Sequence, residues 1–331
     1  MSAPRLALGA DVGGTRTKLG VVSEDGRIFV PSSFPTPSDP EALAAAISRE
    51  ITALRGRHPD VADAPVGVAL PGILDESTGT VEQAMNLGWR DVPFREILRA
   101  HLDPRDHDVA IGHDVRAGAL AEAAWGAGRT WQQDPRTGLT DMVFVPIGTG
   151  VAAAVIHGGR LFGDRYTGEI GQVQVQEPFT GGRTRLERVA SASAIARRYR
   201  EMQDEDGAPA PGTPGAVGLE QADRDHAVDA RAVVDRARAG EVIAERVLFS
   251  ALDTLGQALA TIISGVGTLP VVIGGGLAEG GAVVIDPLRE AIAHRLGVIP
   301  VPPVVPATLG MWAGCLGAAH RALHPDPEGP A

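Results

Sequence analysis

The feature that most constrains this chain is that its opening pattern occurs twice. Leu6-Ala7-Leu8-Gly9-Ala10 is a short apolar run, followed by Asp11-Val12-Gly13-Gly14-Thr15 and a second run through Leu19 to Val22. Ser23-Glu24-Asp25-Gly26 carries the Asp-Gly pair favoured in tight hairpins, and Arg27 to Val30 makes a third extended run. The same order returns at Met142 to Ile147, Gly148-Thr149-Gly150, Val151 to Ile156, His157-Gly158-Gly159 and Arg160-Leu161-Phe162. Gly26-Arg27-Ile28-Phe29 and Gly159-Arg160-Leu161-Phe162 stand at nearly the same distance after their Gly-Thr turns. A repeated strand–glycine turn–strand–hairpin–strand unit predicts two structurally related lobes, each presenting a glycine turn towards a shared cleft.

Helix and strand signals alternate through the rest of the chain, which is the pattern of an α/β protein. Asp39 stands as an N-cap before Pro40, and Leu43, Ile47, Ile51 and Leu54 recur on one helical face. Pro65 to Leu70, Val109 to Gly112 and Val271 to Ile273 read as strands. Helices are expected over Val115 to Gly126, Arg185 to Met202, Ala230 to Ala239, Glu241 to Ser264, after Pro287, and over Met311 to Leu323. Gln203 to Gly218 reads as a surface loop, and His324 to Ala331 as a disordered, Pro-rich tail. The 331 residues suffice for two cores. The expected division is an N-terminal lobe over 1–117, completed by the last helix at about 305–323, and a C-terminal lobe over 118–304.

A formal net charge of -11 argues against a nucleic-acid partner, whose phosphates need Lys and Arg. Arginine supplies nearly all of the basic residues; Lys18 is the sole lysine and reads as a matter of genome composition. Cys315 is the sole cysteine, so no disulfide and no cysteine-built metal site can form within one chain. The N-terminus shows no export signal and no apolar stretch reaches a bilayer's thickness, so the expectation is a cytoplasmic protein without a membrane partner.

Three glycine turns each follow a strand: Asp11 to Thr15, Gly148 to Gly150 and Gly274 to Gly276. Glycine lets backbone N–H groups approach a phosphate, and a threonine adds a hydroxyl donor. One such turn alone reads as a hairpin; three in order, two of them within the repeat, read as a nucleotide cradle. The chain has no G-x-x-x-x-G-K-[ST] loop and no G-x-G-x-x-G between strand and helix, which excludes P-loop and dinucleotide-binding chemistry of those types. Asp11, at a strand end beside its glycines, could hold Mg²⁺ directly or through water, or could be an Asx-turn residue. Asp114 follows a strand and precedes a helix, where a carboxylate can accept a hydroxyl proton in phosphoryl transfer or can simply cap the helix.

Taken together, several strings resemble the ROK family (repressor, open reading frame, kinase). Gly9-Ala10-Asp11-Val12-Gly13-Gly14-Thr15 looks like its first phosphate loop. Leu70-Pro71-Gly72-Ile73-Leu74-Asp75, Asn86-Leu87-Gly88-Trp89 and His113-Asp114 match in family order. So do Ile147-Gly148-Thr149-Gly150, Gly168-Glu169-Ile170-Gly171, Leu186-Glu187 and Ile273-Gly274-Gly275-Gly276, and the resemblance covers residues 5 to 323. It implies the actin-like (ribonuclease H-like) fold of two lobes around a central cleft, and a sugar kinase that uses ATP and Mg²⁺ and is commonly a homodimer. Carried over by position, Asp114 would be the catalytic base. Gly72, Asn86, His113, Glu169, Gln172 and Glu187, with Asp114, would line the sugar site. Gly13, Gly14, Thr15, Gly148, Thr149, Gly150, Gly275 and Gly276, with Asp11, would hold the nucleotide and its metal. Family repressors carry a helix-turn-helix in front of the phosphate loop; with ten residues before Asp11, none is expected here.

Three departures stand out. His113 replaces the family's Asn before the catalytic Asp, and Gln172 replaces a His that would reach the sugar. Pro178, Thr180 and Arg185 align with the cysteines of a zinc loop, so no structural zinc is expected. The other histidines (58, 101, 107, 157, 226, 294, 320 and 324) show no ligand spacing, and Trp89 could either stack on a sugar or pack in a core. The functional expectation is transfer of the ATP γ-phosphoryl group to a hexose or N-acetylhexosamine hydroxyl. The alternatives are a non-catalytic sugar-responsive binding protein and a kinase that takes polyphosphate as donor.

Overall fold

The computed structural model describes residues 4–104, 106, 109–207 and 228–325. In chain order, strands β1 (Leu6–Val12), β2 (Arg16–Ser23) and β3 (Ile28–Pro35) precede helix α1 (Pro40–Arg57). Strand β4 (Val66–Leu70), a meander of β5 (Ile73–Asp75), β6 (Thr80–Ala84) and β7 (Trp89–Val92), helix α2 (Phe94–His101), strand β8 (Ala110–His113) and helix α3 (Asp114–Ala124) follow. The pattern restarts with β9 (Met142–Pro146), β10 (Ala154–His157) and β11 (Arg160–Leu161). A hairpin of β12 (Gln174–Gln176) and β13 (Arg183–Arg185) leads into α4 (Glu187–Ala190) and α5 (Ala192–Gly207). Beyond them come α6 (Ala230–Arg238), α7 (Val242–Val266), β14 (Val271–Gly274), α8 (Ala282–Leu296), β15 (Val304–Pro306) and α9 (Ala313–Leu323).

The repeat in the sequence is a repeat of whole sheets. The two five-stranded sheets have the orders β3-β2-β1-β4-β8 and β11-β10-β9-β14-β15, the same arrangement position by position. In the first, β1, β2 and β3 pair antiparallel, as hairpins must, whereas β4 and β8 join parallel. β4 reads Val-Gly-Val-Ala-Leu and is buried at every residue, as expected for a central strand covered on both faces. α1 starts as anticipated: Asp39 accepts from Ala42 N (2.8 Å), Pro40 opens the helix, and Leu43, Ile47, Ile51 and Leu54 are buried. The other face of the sheet is covered by α9, whose Leu316, Ala319 and Leu323 pack with Ala7, Val22 and Ala121.

Internal contacts divide the chain into two units. The first comprises Met1–Phe144, Ala153–Gly168 and Thr308–Ala331, and the second Val145–Ala152 and Glu169–Ala307. The division passes through β9, and α3, which a boundary at 117 would cut, lies whole in the first unit.

Several elements differ from the sequence expectation for local reasons. The helix expected over Arg185 to Met202 is strand β13 followed by two helices, broken at Ser191. Ser191 Oγ accepts from Ala194 N (3.1 Å) and so opens α5, while Ala192 N is drawn to Gly148 O (2.8 Å). α8 begins at Ala282, before Pro287 rather than after it: Val284 N and Ile285 N already bond to Gly281 O. Pro287 then costs the helix one hydrogen bond without stopping it. The last helix starts at Ala313, after a single 3-10 turn over Gly310–Trp312. α7, with 25 residues, is long and apolar enough to cross a membrane, contrary to the expectation that no stretch would be; 56% of its most apolar window is buried inside the protein. Residues 203–207 of the expected surface loop extend α5; its residues 208–218, and residues 326–331 of the expected tail, lie outside the described residues.

Candidate active site

In the first unit the chemistry begins at the β1–β2 hairpin. β1 ends with Asp11 and Val12, and the antiparallel register sets Lys18 of β2 opposite Asp11. Lys18 Nζ lies 3.3 Å from Asp11 Oδ2, with both side chains largely withdrawn from solvent. Burial raises the Asp11 carboxyl above its ordinary pKa; Lys18 opposes that rise, and the nearby charge of Asp114 adds to it. Gly314, in the first turn of α9, makes room for this carboxylate: a Cβ there would stand 2.7 Å from it. Asp11 thus lies at a helix N-terminus, where negative charge is favoured.

The turn itself is stitched in place. Gly13 N donates to Arg16 O (3.1 Å), Thr36 Oγ1 to Gly13 O (2.8 Å) and Thr36 N to Thr15 O (3.0 Å), which leaves Gly14 and Thr15 exposed. Asn86 is exposed beside it, its Nδ2 3.3 Å from where a Gly14 Cβ would be. Gly72 has φ +98°, and a Cβ there would meet Gln83 O at 2.2 Å, so only glycine lets the chain turn into β5.

β8 delivers His113 and α3 begins with Asp114. Asp114 is therefore the first residue of the helix and not its cap; its Oδ1 accepts from Val115 N (2.7 Å) and lies 3.3 Å from His113 Nε2. Behind them stands a buried network that no sequence motif announced. Glu76 Oε1 accepts from His113 N (2.9 Å) and lies 3.4 Å from Arg116 Nε. Its other oxygen lies 2.9 Å from Arg321 Nη2. Burial lowers the pKa of Arg116, whose Nη1 donates to Asp164 O (3.0 Å). Trp89 packs in the core against Phe94 (ring centroids 5.1 Å apart) and donates from Nε1 to Ser38 O (2.6 Å).

In the second unit, Gly148 N donates to Gly150 O (2.9 Å), closing the second glycine turn. Ile147 N donates to Gly274 O (2.9 Å) and Leu277 N to Ile147 O (3.4 Å), so the third turn, with Gly275 and Gly276, lies against the second. Thr149 sits between the two glycines of its turn. Glu169 precedes a 3-10 turn over Ile170–Gln172 and its carbonyl accepts from Gln172 N (3.1 Å). Gln172 Nε2 donates to Glu187 Oε2 (3.3 Å), at the start of α4, and Arg185 Nη1 donates to Gln172 Oε1 (2.9 Å). Arg185 Nη1 is also 3.3 Å from Glu187 Oε1. Gly150 is 4.0 Å from this carboxylate, measured from an added Cβ. Gln172 and Glu187, 15 residues apart at the two ends of the β12–β13 hairpin, are thus brought together, with Arg185 as a third member whose position matched only a lost cysteine.

The residues do not fit the zinc of the resemblance. Pro178 and Thr180 offer no metal ligand of the usual kind, Arg185 is a cation, and among the described residues no group of three or more His, Cys, Asp or Glu could hold a metal ion. Cys315 is in the other unit, buried in α9, with its thiol pKa pushed up by burial and donating to Gly9 O (3.1 Å).

A family model described as ROK family matches residues 7–324. The chain belongs to the ROK family. Among its relatives, the glucokinase of Streptomyces coelicolor is 29% identical over 97% of this chain and 99% of its own length. The glucokinase of Thermotoga maritima is 32% identical over 96% of this chain and 97% of its own length. Among solved structures, a ROK family glucokinase from Streptomyces griseus in complex with glucose and AMPPNP superposes with a TM-score of 0.74. It is 26% identical and covers 96% of this chain and 99% of that one. The repeated sheets are those of the actin-like fold that ROK sugar kinases share.

Proposed function

We propose that this ROK protein is an ATP-dependent sugar kinase that phosphorylates a hydroxyl of a hexose or N-acetylhexosamine, with Asp114 as the general base. The observation that carries the reading is the charge arrangement of the first unit. A base candidate, Asp114, is held at a strand–helix junction, and a second carboxylate, Asp11, feels its charge and lies beside a glycine turn. Phosphoryl transfer to an alcohol asks the protein for little covalent chemistry. It needs a proton acceptor, alignment of the hydroxyl, and compensation of phosphate charge.

Each of these has a residue here. Asp114 accepts the hydroxyl proton, while Glu76 fixes the backbone of His113 and so the start of α3. In the first unit the exposed turn at Gly14 and Thr15 is suited to phosphate oxygens, and in the second the adjoining turns at Gly148–Gly150 and Gly275–Gly276 are. Lys18 adds a positive charge next to Asp11. A Mg²⁺ bound with the nucleotide would supply charge neutralisation. Asp11 fits it, because Mg²⁺ usually takes only one or two carboxylates and otherwise water and phosphate oxygens. In the second unit Glu169, Gln172 and Glu187 hold sugar hydroxyls; in the first, Asn86 is the candidate for the same task, and Gly72 lets the chain turn into β5.

The test is a coupled ADP-release assay over glucose, mannose, N-acetylglucosamine, N-acetylmannosamine and a set of pentoses, with sugar phosphate measured directly when polyphosphate replaces ATP. Turnover of at least one hexose or N-acetylhexosamine with ATP is expected. No turnover of any sugar with either donor, from folded protein, would overturn the kinase reading.

A further inference from the structure

The β12–β13 hairpin closes its tip, residues 177–182, without a metal. Glu177 N donates to Gly182 O (2.7 Å) and Gly181 N to Glu177 O (2.9 Å). One carboxylate oxygen of Glu177 accepts from Phe179 N (3.0 Å) and Thr180 N (2.6 Å). The other accepts from Nη2 of Arg198, on α5, at 3.3 Å. The Arg198 guanidinium stands 4.5 Å over the Phe179 ring, and that of Arg246, on α7, stands 5.7 Å from the same ring. Arg198 is itself anchored, donating to Ser250 Oγ on α7 (3.2 Å) and Val189 O on α4 (3.4 Å).

These contacts explain two oddities. Phe179 is 41% exposed, yet it is held, because two guanidinium groups face its ring and cation–π attraction offsets the lost burial. Burial of Glu177 works against its charge, but the N–H groups of Thr180 and Phe179 and the charge of Arg198 outweigh it and hold the carboxyl below its ordinary pKa. The tip is thereby fastened to α4, α5 and α7 at once. At the other end, Leu186 N donates to Val173 O (2.9 Å), so the base of the same hairpin presents Gln172, Arg185 and Glu187. Pro178, Thr180 and Arg185, which align with zinc-binding cysteines, lie on this hairpin or at its tip.

We propose that Glu177, Phe179 and Arg198 form a metal-free clamp that takes the place of zinc and positions Gln172, Arg185 and Glu187 for the sugar. This rests on the reading of Gln172 and Glu187 as sugar-binding residues. The three clamp residues contact one another and the hairpin tip, and act as positioning residues through the hairpin. A rigid hairpin presents its base residues in one geometry, so loosening the tip should weaken sugar binding and leave the nucleotide untouched.

The experiment uses the full chain with Glu177→Gln, Phe179→Leu, Arg198→Lys and Arg198→Met, each checked for folding by circular dichroism and melting. With the sugar that the wild type turns over best, Glu177→Gln should raise the sugar KM about tenfold and Phe179→Leu a few-fold, with KM for ATP within twofold of wild type. Arg198→Lys should keep more of the sugar affinity than Arg198→Met, since it retains the charge on Glu177. Dialysis against a zinc chelator should leave the sugar KM unchanged. A purely structural role would instead lower the melting temperature and the active fraction while leaving the sugar KM alone, and that result in Glu177→Gln and Phe179→Leu would overturn the proposal. So would a stoichiometric zinc whose removal raises the sugar KM. Should the wild type bind sugar without phosphorylating it, calorimetric sugar affinities of the same variants decide the clamp separately from the kinase reading. A wild type that neither binds nor phosphorylates a sugar overturns both.

Discussion

The two glycine turns that open the two repeats occupy the same place in their sheets and differ in charge. In the first, β1 carries Asp11 and β2 sets Lys18 across from it, and the turn is stitched by Thr36. In the second, the corresponding positions on β9 and after the turn fall at Phe144 or Val145 and at Val151 or Ala152, all apolar, and the turn is held by the start of α5. Duplication has copied the backbone donors that suit phosphate, while the charged groups were placed once. Under the proposed function, this difference places proton transfer and charge compensation in the first unit and gives the Arg185–Gln172–Glu187 group of the second the main hold on the sugar.

The sharpest way to break that assignment is Asp114→Asn, which is nearly isosteric. Turnover at saturating sugar should fall about 10²–10⁴-fold, the usual contribution of a general base, with ATP affinity kept. Wild-type turnover in this variant would remove the base from the first unit. Glu76→Gln comes next. It leaves Arg116 and Arg321 facing a neutral partner in a buried site, and breaking such a pair costs about 3–5 kcal/mol. Chemical denaturation should show a loss of that order, and a change below about 1 kcal/mol would mean that the network is not what supports His113.

Lys18→Met removes the cation of the first turn and leaves Asp11 without its partner. Removing a charge-assisted contact of this kind should lower kcat with ATP about 10–100-fold while the sugar KM stays put. An equal loss in sugar affinity would show that the two turns do not divide the labour. An effect that appears only in acid concerns the back of α9, where His320 is buried with Nδ1 lacking a hydrogen-bond partner and its pKa lowered by burial to about 3. The unfolded chain takes up a proton near pH 6.5 and the folded chain does not, so this residue removes stability as pH falls from about 6.5 towards 3. The slope is at most about 1.4 kcal/mol per pH unit. His320→Phe should flatten the stability–pH curve in that window relative to wild type; parallel curves would show that His320 is protonated in the folded protein.

The repeated sheets, the capped α1 and the three glycine turns were legible in the sequence because each is set by local pattern: apolar runs, a cap residue, a Gly-Thr pair. The meander of β5, β6 and β7 was not, since three short, partly exposed strands carry little periodicity. Ser191 hid a helix break because its capping role appears only once Gly148 is seen to draw Ala192 away. Glu76 was invisible for a different reason: its partners Arg116 and Arg321 lie 40 and 245 residues along the chain, and only the sheet brings them together. Lys18 could have been found. As the sole lysine, opposite Asp11 across the hairpin that closes at Gly13-Gly14-Thr15, it carried a signal that composition alone obscured.

The division of labour is tested most directly by calorimetric titration of the preferred sugar into Asp114→Asn and Glu187→Gln. The account predicts that Asp114→Asn, though nearly inert in turnover, binds the sugar within about threefold of wild type. Glu187→Gln, which loses the carboxylate that Gln172 and Arg185 hold, should bind it at least tenfold more weakly. If Asp114→Asn abolishes binding while Glu187→Gln leaves it unchanged, the sugar is held by the first unit, and the assignment drawn from the two turns is wrong.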